Sequence, residues 1–243
     1  MMQTLSLSRQ VSVGIATFAA VSFTWTMRLY YWSSKAKLHV KIPSGDVKSI
    51  IGEMERAVQR DEGARGIDVL MLPPGELYQA ASLAVSSSKV CVITGFPCLI
   101  DHNPPTETDG PLGAVAIARA LLMAGKYVTL VTDECNEEVV LASCAAGGLQ
   151  CFGERFAMES FPPADRYDKA DVERFEELST SVDLVVAIER AGPCADGSYR
   201  TMRGRDMTHL LAPLELLLEQ HDPASGAPQK ASIGIGVLKS DFN

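Results

Sequence analysis

From Val90 onward the apolar residues fall into short continuous runs, each followed by a longer segment with helical spacing. Residues 90–95, 127–132 and 182–188 are runs of this kind, bounded by glycine, proline or charge, as strands buried on both faces should be. Residues 231–236 predict a last strand, and 149–152 a short additional one. Between them, 111–124 predicts a helix with Pro111 in its first turn and Gly125 just past its end. Helices are also expected over 137–146, 170–179 and, as a long amphipathic element, 206–220. Upstream, Asp46 can cap a helix from Val47 to about Arg60, with Ile50, Ile51, Met54 and Val58 on one face. A break at 61–66, a short apolar piece at 67–72 and Pro73-Pro74-Gly75 precede a further helix over 76–85. This alternation predicts an α/β domain of three layers, Rossmann-like, with a mostly parallel sheet. Ligands of such sheets bind beyond the carboxyl ends of the strands. That rule selects residues 95–113, 132–136, 189–206 and whatever follows Gly236.

Composition changes this picture at the edges. With 47% hydrophobic and 21% charged residues in 243, the chain can bury a sizeable core, as one domain plus an extension. A net charge of −8 argues against a nucleic-acid binder. The six cysteines (Cys91, Cys98, Cys135, Cys144, Cys151 and Cys194) form no CxxC pair, and four histidines are too few to complete a zinc pattern. Reduced thiols are expected, with no disulfide framework, no metal and no cofactor.

The first 45 residues are basic, through Arg9, Arg28, Lys35, Lys37 and Lys41, and contain no acid. Residues 11–27 are near the minimum length of a membrane span, with Trp25, Tyr30, Tyr31 and Trp32 as an interfacial belt. The same composition suits an organelle transit peptide. A cleaved secretory signal is a third option, against which reduced cysteines argue. The anchor and the transit peptide stand equally, and each separates a leader, 1–45, from a domain at 46–236 and a short tail at 237–243.

Three of the strand-end segments carry the chemistry. Gly95-Phe96-Pro97 leaves the first strand, and Glu107-Thr108-Asp109-Gly110-Pro111 enters the next helix. Thr108 or Asp109 can cap that helix, Gly110 admits close approach, and the helix N-terminus offers N–H groups to an anion. No Gly-Lys-Ser/Thr follows and the glycine spacing is not that of a dinucleotide site; acids here would repel a pyrophosphate. A capped turn without ligand is the plainer alternative. Asp133 and Glu134 end the second strand, either as caps or as groups that bind an ammonium, hold a metal or act as a base. The third segment gathers Glu189, Arg190, Asp196, Tyr199, Arg200, Arg203, Arg205 and Asp206 among glycines. Arginine forks take carboxylates and nearby acids grip an amine, so a zwitterionic amino acid fits; a solvated charged loop is the alternative. No Gly-x-Ser-x-Gly elbow or His-x-x-x-His pair is present, and His102 and His209 read as structural.

The ordered motifs Val92-Ile93-Thr94-Gly95-Phe96-Pro97, Glu107 through Gly113, Ala187-Ile188-Glu189-Arg190-Ala191-Gly192, Ala195-Asp196-Gly197-Ser198-Tyr199 and Met202-Arg203-Gly204-Arg205-Asp206 resemble the C-terminal domain of the D-glutamate cyclase family. Residues 61–67 followed by Gly75-Glu76-Leu77 are similar to the entry of that domain, so the likeness covers roughly 46–236. It implies conversion of D-glutamate to 5-oxo-D-proline and water in the mitochondrial matrix, by attack of the α-amine on the γ-carboxyl carbon. Residue type and placement then give Arg203 and Arg205 the carboxylates, Glu189 and Asp109 the amine, and Glu107 or Asp133 the proton transfers. Gly95, Thr108, Gly110, Arg190, Asp196 and Tyr199 are expected to complete the binding walls.

The resemblance has two departures. Nothing here is similar to the family's additional hydro-lyase-like domain. After Ile233-Gly234-Ile235-Gly236 the family's Asp-Gly-Gly-Asn-Glu stretch is replaced by Val237-Leu238-Lys239-Ser240-Asp241-Phe242-Asn243. A sheet incomplete at its C-terminal side is therefore expected, and an inactive form stands beside an active one. A non-catalytic binding protein for acidic amino acids or related carboxylates is the second expectation. A nucleotide-dependent enzyme is the third, and the missing phosphate loop weighs against it. The expected partner is a small acidic amino acid, with membrane contact only through 11–27 and an open oligomeric state.

Overall fold

Five strands, β1 (Lys89–Gly95), β2 (Tyr127–Asp133), β3 (Phe156–Phe161), β4 (Leu184–Arg190) and β5 (Ala231–Ile235), form one sheet in the computed structural model. Their order is β3-β2-β1-β4-β5 and every pairing is parallel. The structure describes residues 46–62, 66, 71–219 and 230–235. All but Asp46 and Val47 belong to one unit, Lys48–Asn243. The leader with its apolar run at 11–27, most of the 67–72 piece and the tail at 237–243 lie outside the described residues. Among the described residues no helix is long and apolar enough to cross a membrane.

The helices are α1 (Val47–Val58), α2 (Glu76–Ser86), α3 (Asp109–Met123), α4 (Glu137–Ala146) and α5 (Lys169–Ser181). One face of the sheet, Val90, Val92, Val128, Leu130, Leu184, Val186 and Ile188, packs against Ala114, Val115, Ala118, Leu121 and Leu122 of α3 and Val140 and Cys144 of α4. The other face, Cys91, Ile93, Val131, Phe161 and Val185, packs against Leu178 of α5 and against Ala212, Leu214 and Leu217. Alternate residues of one strand thus serve opposite layers, and the core is a three-layer sandwich. The start of α2 is satisfied from α1, whose Glu55 carboxylate accepts from the N–H groups of Gly75 (2.7 Å) and Leu77 (2.8 Å).

Two expected elements are corrected. The stretch 149–152 is not a strand but part of a 3₁₀ segment, Leu149–Arg155; the strand begins after it, at Phe156. Gly153, at φ 58° and ψ −133°, ends the turn in a conformation that a side chain disfavours and releases the chain into β3. Among the described residues, 206–219, the expected long helix over 206–220 is absent. Two 3₁₀ turns, Thr208–Leu210 and Leu214–Leu218, stand there with extended backbone between them. Pro213 has no N–H for a helix. Ala212 gives its N–H to Asp133 Oδ1 (2.8 Å), and its carbonyl accepts from Arg190 (2.7 Å) and from the Leu214 N–H (2.8 Å) two residues on, so neither group joins a helical ladder. The apolar spacing that suggested one helix face is real, but Met207 and Leu211 serve one cluster, and Leu214 and Leu217 another.

Candidate functional site

Strand order reverses beside β1, which leads to β2 and β3 on one side while β4 and β5 lie on the other. The loops leaving β1 and β4 therefore part and leave a crevice, where open α/β sheets place their ligands. A cavity of about 450 Å³ lies there. The loop after β1 contributes Phe96, Cys98, Asp101 and Glu107 to its walls; the end of β4 and the loop beyond contribute Glu189, Arg200, Arg203 and Arg205. Leu99, Ile100, Ala191 and Met202 add apolar surface.

The aim of Glu189 comes from a break in β4. Thr94 pairs with Ile188 but Gly95 pairs with Arg190, so Glu189 is an extra residue with no partner on β1. It is the one non-glycine residue with positive φ, 46°, among those described. Left-handed backbone at a residue with a Cβ costs about 1–2 kcal/mol, and such strain collects at functional sites. The bulge inverts the alternation: Glu189 turns to the α3 side and Arg190 to the opposite layer, against Asp133 and Ala212.

At α3 the matching feature is Gly110. A Cβ built there would lie 2.9 Å from Glu189 Cβ and 2.9 Å from Thr94 Oγ1, so only glycine lets the helix start reach the end of β4. Gly110→Ala is expected to destabilise the protein by about 1–3 kcal/mol through overpacking; a lower urea midpoint with an unchanged slope would show it.

Glu107, Asp109 and Glu189 converge, each with a carboxylate oxygen within 4.8 Å of the others'. The group could hold a divalent cation or an ammonium, and this donor set was not anticipated as a metal site. Burial lifts the Glu107 carboxyl above its ordinary range and the charge of Asp109 adds to this, against the hydrogen bond from Cys98 Sγ to Glu107 Oε2 (2.9 Å). Burial, then the charges of Asp109 and Glu107, lift Glu189 as well. Burial and the bond to Glu107 push the Cys98 thiol up to about 12, so it serves as a donor and not as a nucleophile.

Across the cavity, Arg205 grips Asp101 through both guanidinium nitrogens (2.6 and 2.8 Å), joining the loop after β1 to the loop after β4. Arg200 pairs with Asp196 (2.5 Å). Arg203 forms no ion pair among the described residues and is the guanidinium most open to an incoming carboxylate.

The other expected site residues lie apart from the cavity walls. Asp133 and Arg190 are 0% and 2% exposed and bind each other in a two-pronged pair behind the site. Burial disfavours the Arg190 charge, but the Asp133 carboxylate more than offsets this and holds its pKa above the ordinary value. Their expected contact with substrate is thus replaced by a structural one. Gly95 faces Thr132 and Asn136, where a Cβ would lie 2.7 and 2.6 Å from their side chains. Thr108 is exposed at the start of α3, with no side-chain cap bond. Asp196 accepts from the Ser198 N–H (3.0 Å) and hydroxyl (2.6 Å) and closes its own turn. Tyr199 is buried with Met207 and Leu211, and its hydroxyl donates to Glu215 (2.5 Å). Cys98, Asp101, Thr106 and Asn136 were not singled out from the sequence. Asn136 had a signal, as it closes the strand-end segment 132–136; Cys98 and Asp101 sat unremarked within 95–113.

A family model described as "D-glutamate cyclase-like, C-terminal" matches residues 54–238 of the chain. The chain is 31% identical over 215 residues to a human (Homo sapiens) protein named "D-glutamate cyclase, mitochondrial", an overlap of 84% of this chain and 33% of that protein. It is 35% identical over 101 residues to a protein of Cellvibrio japonicus (strain Ueda107) named "Ribosome-binding factor A", an overlap of 39% of this chain and 74% of that one. The chain therefore spans about a third of the length of the human relative.

Proposed function

The chain belongs to the D-glutamate cyclase-like family, and from that premise we propose that it is a lyase that converts D-glutamate to 5-oxo-D-proline and water. One observation carries the proposal: a cavity at the reversal of strand order is lined both by carboxylates, Glu107 and Glu189, and by guanidinium groups, Arg203 among them. Such a cavity matches a substrate with two carboxylates and an ammonium.

In the proposed reaction Arg203 and Arg205 hold the carboxylates and curl the substrate, so that the α-amine meets the γ-carboxyl carbon. Proximity of this kind can remove several kcal/mol from a barrier, up to about 7–11. Glu189, with Asp109 beside it, receives a proton from the ammonium and frees the nitrogen lone pair. The N–C bond forms, and Glu107 gives its proton to a γ-oxygen and takes the second proton from nitrogen. As the γ C–O bond breaks, that second proton completes the departing water; the proton on Glu189 then passes to Glu107 and restores both. The two protons lost by nitrogen equal the two gained by oxygen. Carboxyls lifted by burial and by one another suit this shuttling near neutral pH. We assign the work to mitochondria, in line with the name of the human relative and the basic, acid-free first 45 residues.

The direct test is incubation of the purified chain with D-glutamate or L-glutamate and detection of 5-oxoproline by mass spectrometry. Product from D-glutamate is expected. Binding of D-glutamate without product would leave the second reading, a binding protein for acidic amino acids. A ribosome-binding role has no support from charge, since the chain carries a net −8.

The acid limb of the pH profile is a second check. Glu189 must be ionised to accept the proton, and its pKa lies above the ordinary 4.5. kcat/KM should therefore fall as pH drops, with a midpoint above 4.5 that belongs to the coupled carboxylates as a set. A profile flat down to ordinary carboxylate pH would remove Glu189 from the reaction.

A further inference from the structure

Glu107 and Glu189 face one cavity, and each is one residue away from a buried polar side chain. Those two side chains are the ends of one hydrogen-bonded chain. The Thr106 hydroxyl donates to Asn136 Oδ1 (2.6 Å), and Asn136 Nδ2 donates to Asp133 Oδ2 (2.9 Å). Asp133 in turn takes both Nη groups of Arg190, which also reaches the Gly95 carbonyl (3.3 Å). Thr106 is 6% exposed, Asn136 and Asp133 0%, and Arg190 2%; none of the four lines the cavity. The chain has no slack at Asn136, because a Cβ on Gly95 would fall 2.6 Å from its Nδ2.

We infer that Thr106, Asn136, Asp133 and Arg190 act as one buried brace that fixes the separation of Glu107 from Glu189, and that Thr106 and Asn136 are positioning residues for the reaction. The inference rests on the cyclase reading of the cavity. A brace is needed on physical grounds, since three carboxylates with oxygens within 4.8 Å repel one another. Glu107 lies outside regular secondary structure, in a loop whose backbone bonds, Glu107 N–H to the Phe96 carbonyl (3.0 Å) and Leu99 N–H to the Pro105 carbonyl (3.0 Å), tie it to its own residues and not to the rest of the sheet. Without the Thr106 anchor the loop would relax outward and the acids would separate.

The experiment compares Thr106→Val, which keeps shape and loses the hydroxyl, with Thr106→Ser, which keeps the hydroxyl. Two readouts are taken: kcat and KM for D-glutamate, and the titration of Glu107 and Glu189 by NMR of ¹³C-labelled carboxyls. For Thr106→Val, kcat should fall about tenfold or more, because displacements near 1 Å are costly in oriented reactions. KM should stay within about twofold, and both titrations should move toward the ordinary carboxylate range. Thr106→Ser should match the wild type in all of these. Thr106→Ala carries the comparison if valine is not accommodated. Equal behaviour of the valine and serine variants in the titrations would overturn the brace. If the wild type itself makes no 5-oxoproline, the cyclase reading fails, and the titrations still decide the brace.

Discussion

Arg190→Leu is expected to lower the stability of the domain by about 3–5 kcal/mol, the usual result of removing one partner from a buried ion pair. For a domain of this size that corresponds to a fall in Tm of roughly 10 °C or more. Leucine keeps much of the buried stem volume, so the loss falls on polar groups. The Ala212 and Gly95 carbonyls each lose a donor, and Asp133 is left charged at 0% exposure with only the Ala212 N–H and the Asn136 amide. The sign of the pH dependence separates this cause from a cavity. An orphaned, buried Asp133 has a folded pKa above its unfolded one. Its proton is then bound more tightly by the fold, and the variant should recover stability as pH falls through the folded value. Urea midpoints of both proteins between neutral and mildly acid pH should thus draw together on acidification. A gap that stays constant would mean that lost packing, not the bared carboxylate, is responsible.

Glu189→Gln should give the opposite pairing of effects: turnover lower by about 10²–10⁴, as for loss of a proton-transfer group, with a Tm unchanged or higher. The reason is again a sign. Burial and the neighbouring acids raise the pKa of Glu189 in the fold, so its charged form is disfavoured there relative to the unfolded chain. Above the folded pKa that difference opposes folding, and it disappears as pH falls. Glutamine removes the charge and keeps the shape, so a rise of roughly 1–3 °C at neutral pH is expected. Loss of activity together with a marked fall in Tm would instead make Glu189 a structural residue.

Much of the fold was legible because strands β1, β2 and β4 are buried on both faces, and a double burial writes itself as an unbroken apolar run. β3 was not, because it is an edge strand that is only partly buried and carries Glu159, whose charge faces Arg174 at 3.6 Å. The extended segment around Ala212 was not legible either, since its conformation answers to Asp133 and Arg190, 79 and 22 residues away. At the site the loops were identified but the division of labour was not. A run such as Ile188-Glu189-Arg190 does not announce which of two neighbouring charges enters the cavity and which enters the core. Strand parity alone would have put Arg190 with Ile188, on the α3 side; the bulge decides otherwise. Asp133 misled for a similar reason, because an acid at a strand end looks the same whether it meets solvent or a guanidinium.

That bulge makes the site depend on counting. In a regularly paired strand an inserted or deleted residue exchanges the two faces for everything beyond it, whereas a bulge absorbs one extra residue and keeps the rest in register. Deletion of one residue at 189 would restore regular pairing and leave Arg190 opposite Ile188 against Asp133, while the cavity would lose an acid that no other residue of β4 could replace. Point substitutions at Glu189 can be graded, but a change of length there is all or nothing. Descendants of this chain that function should therefore vary in the composition of this loop much more readily than in the number of residues between Ile188 and Arg190.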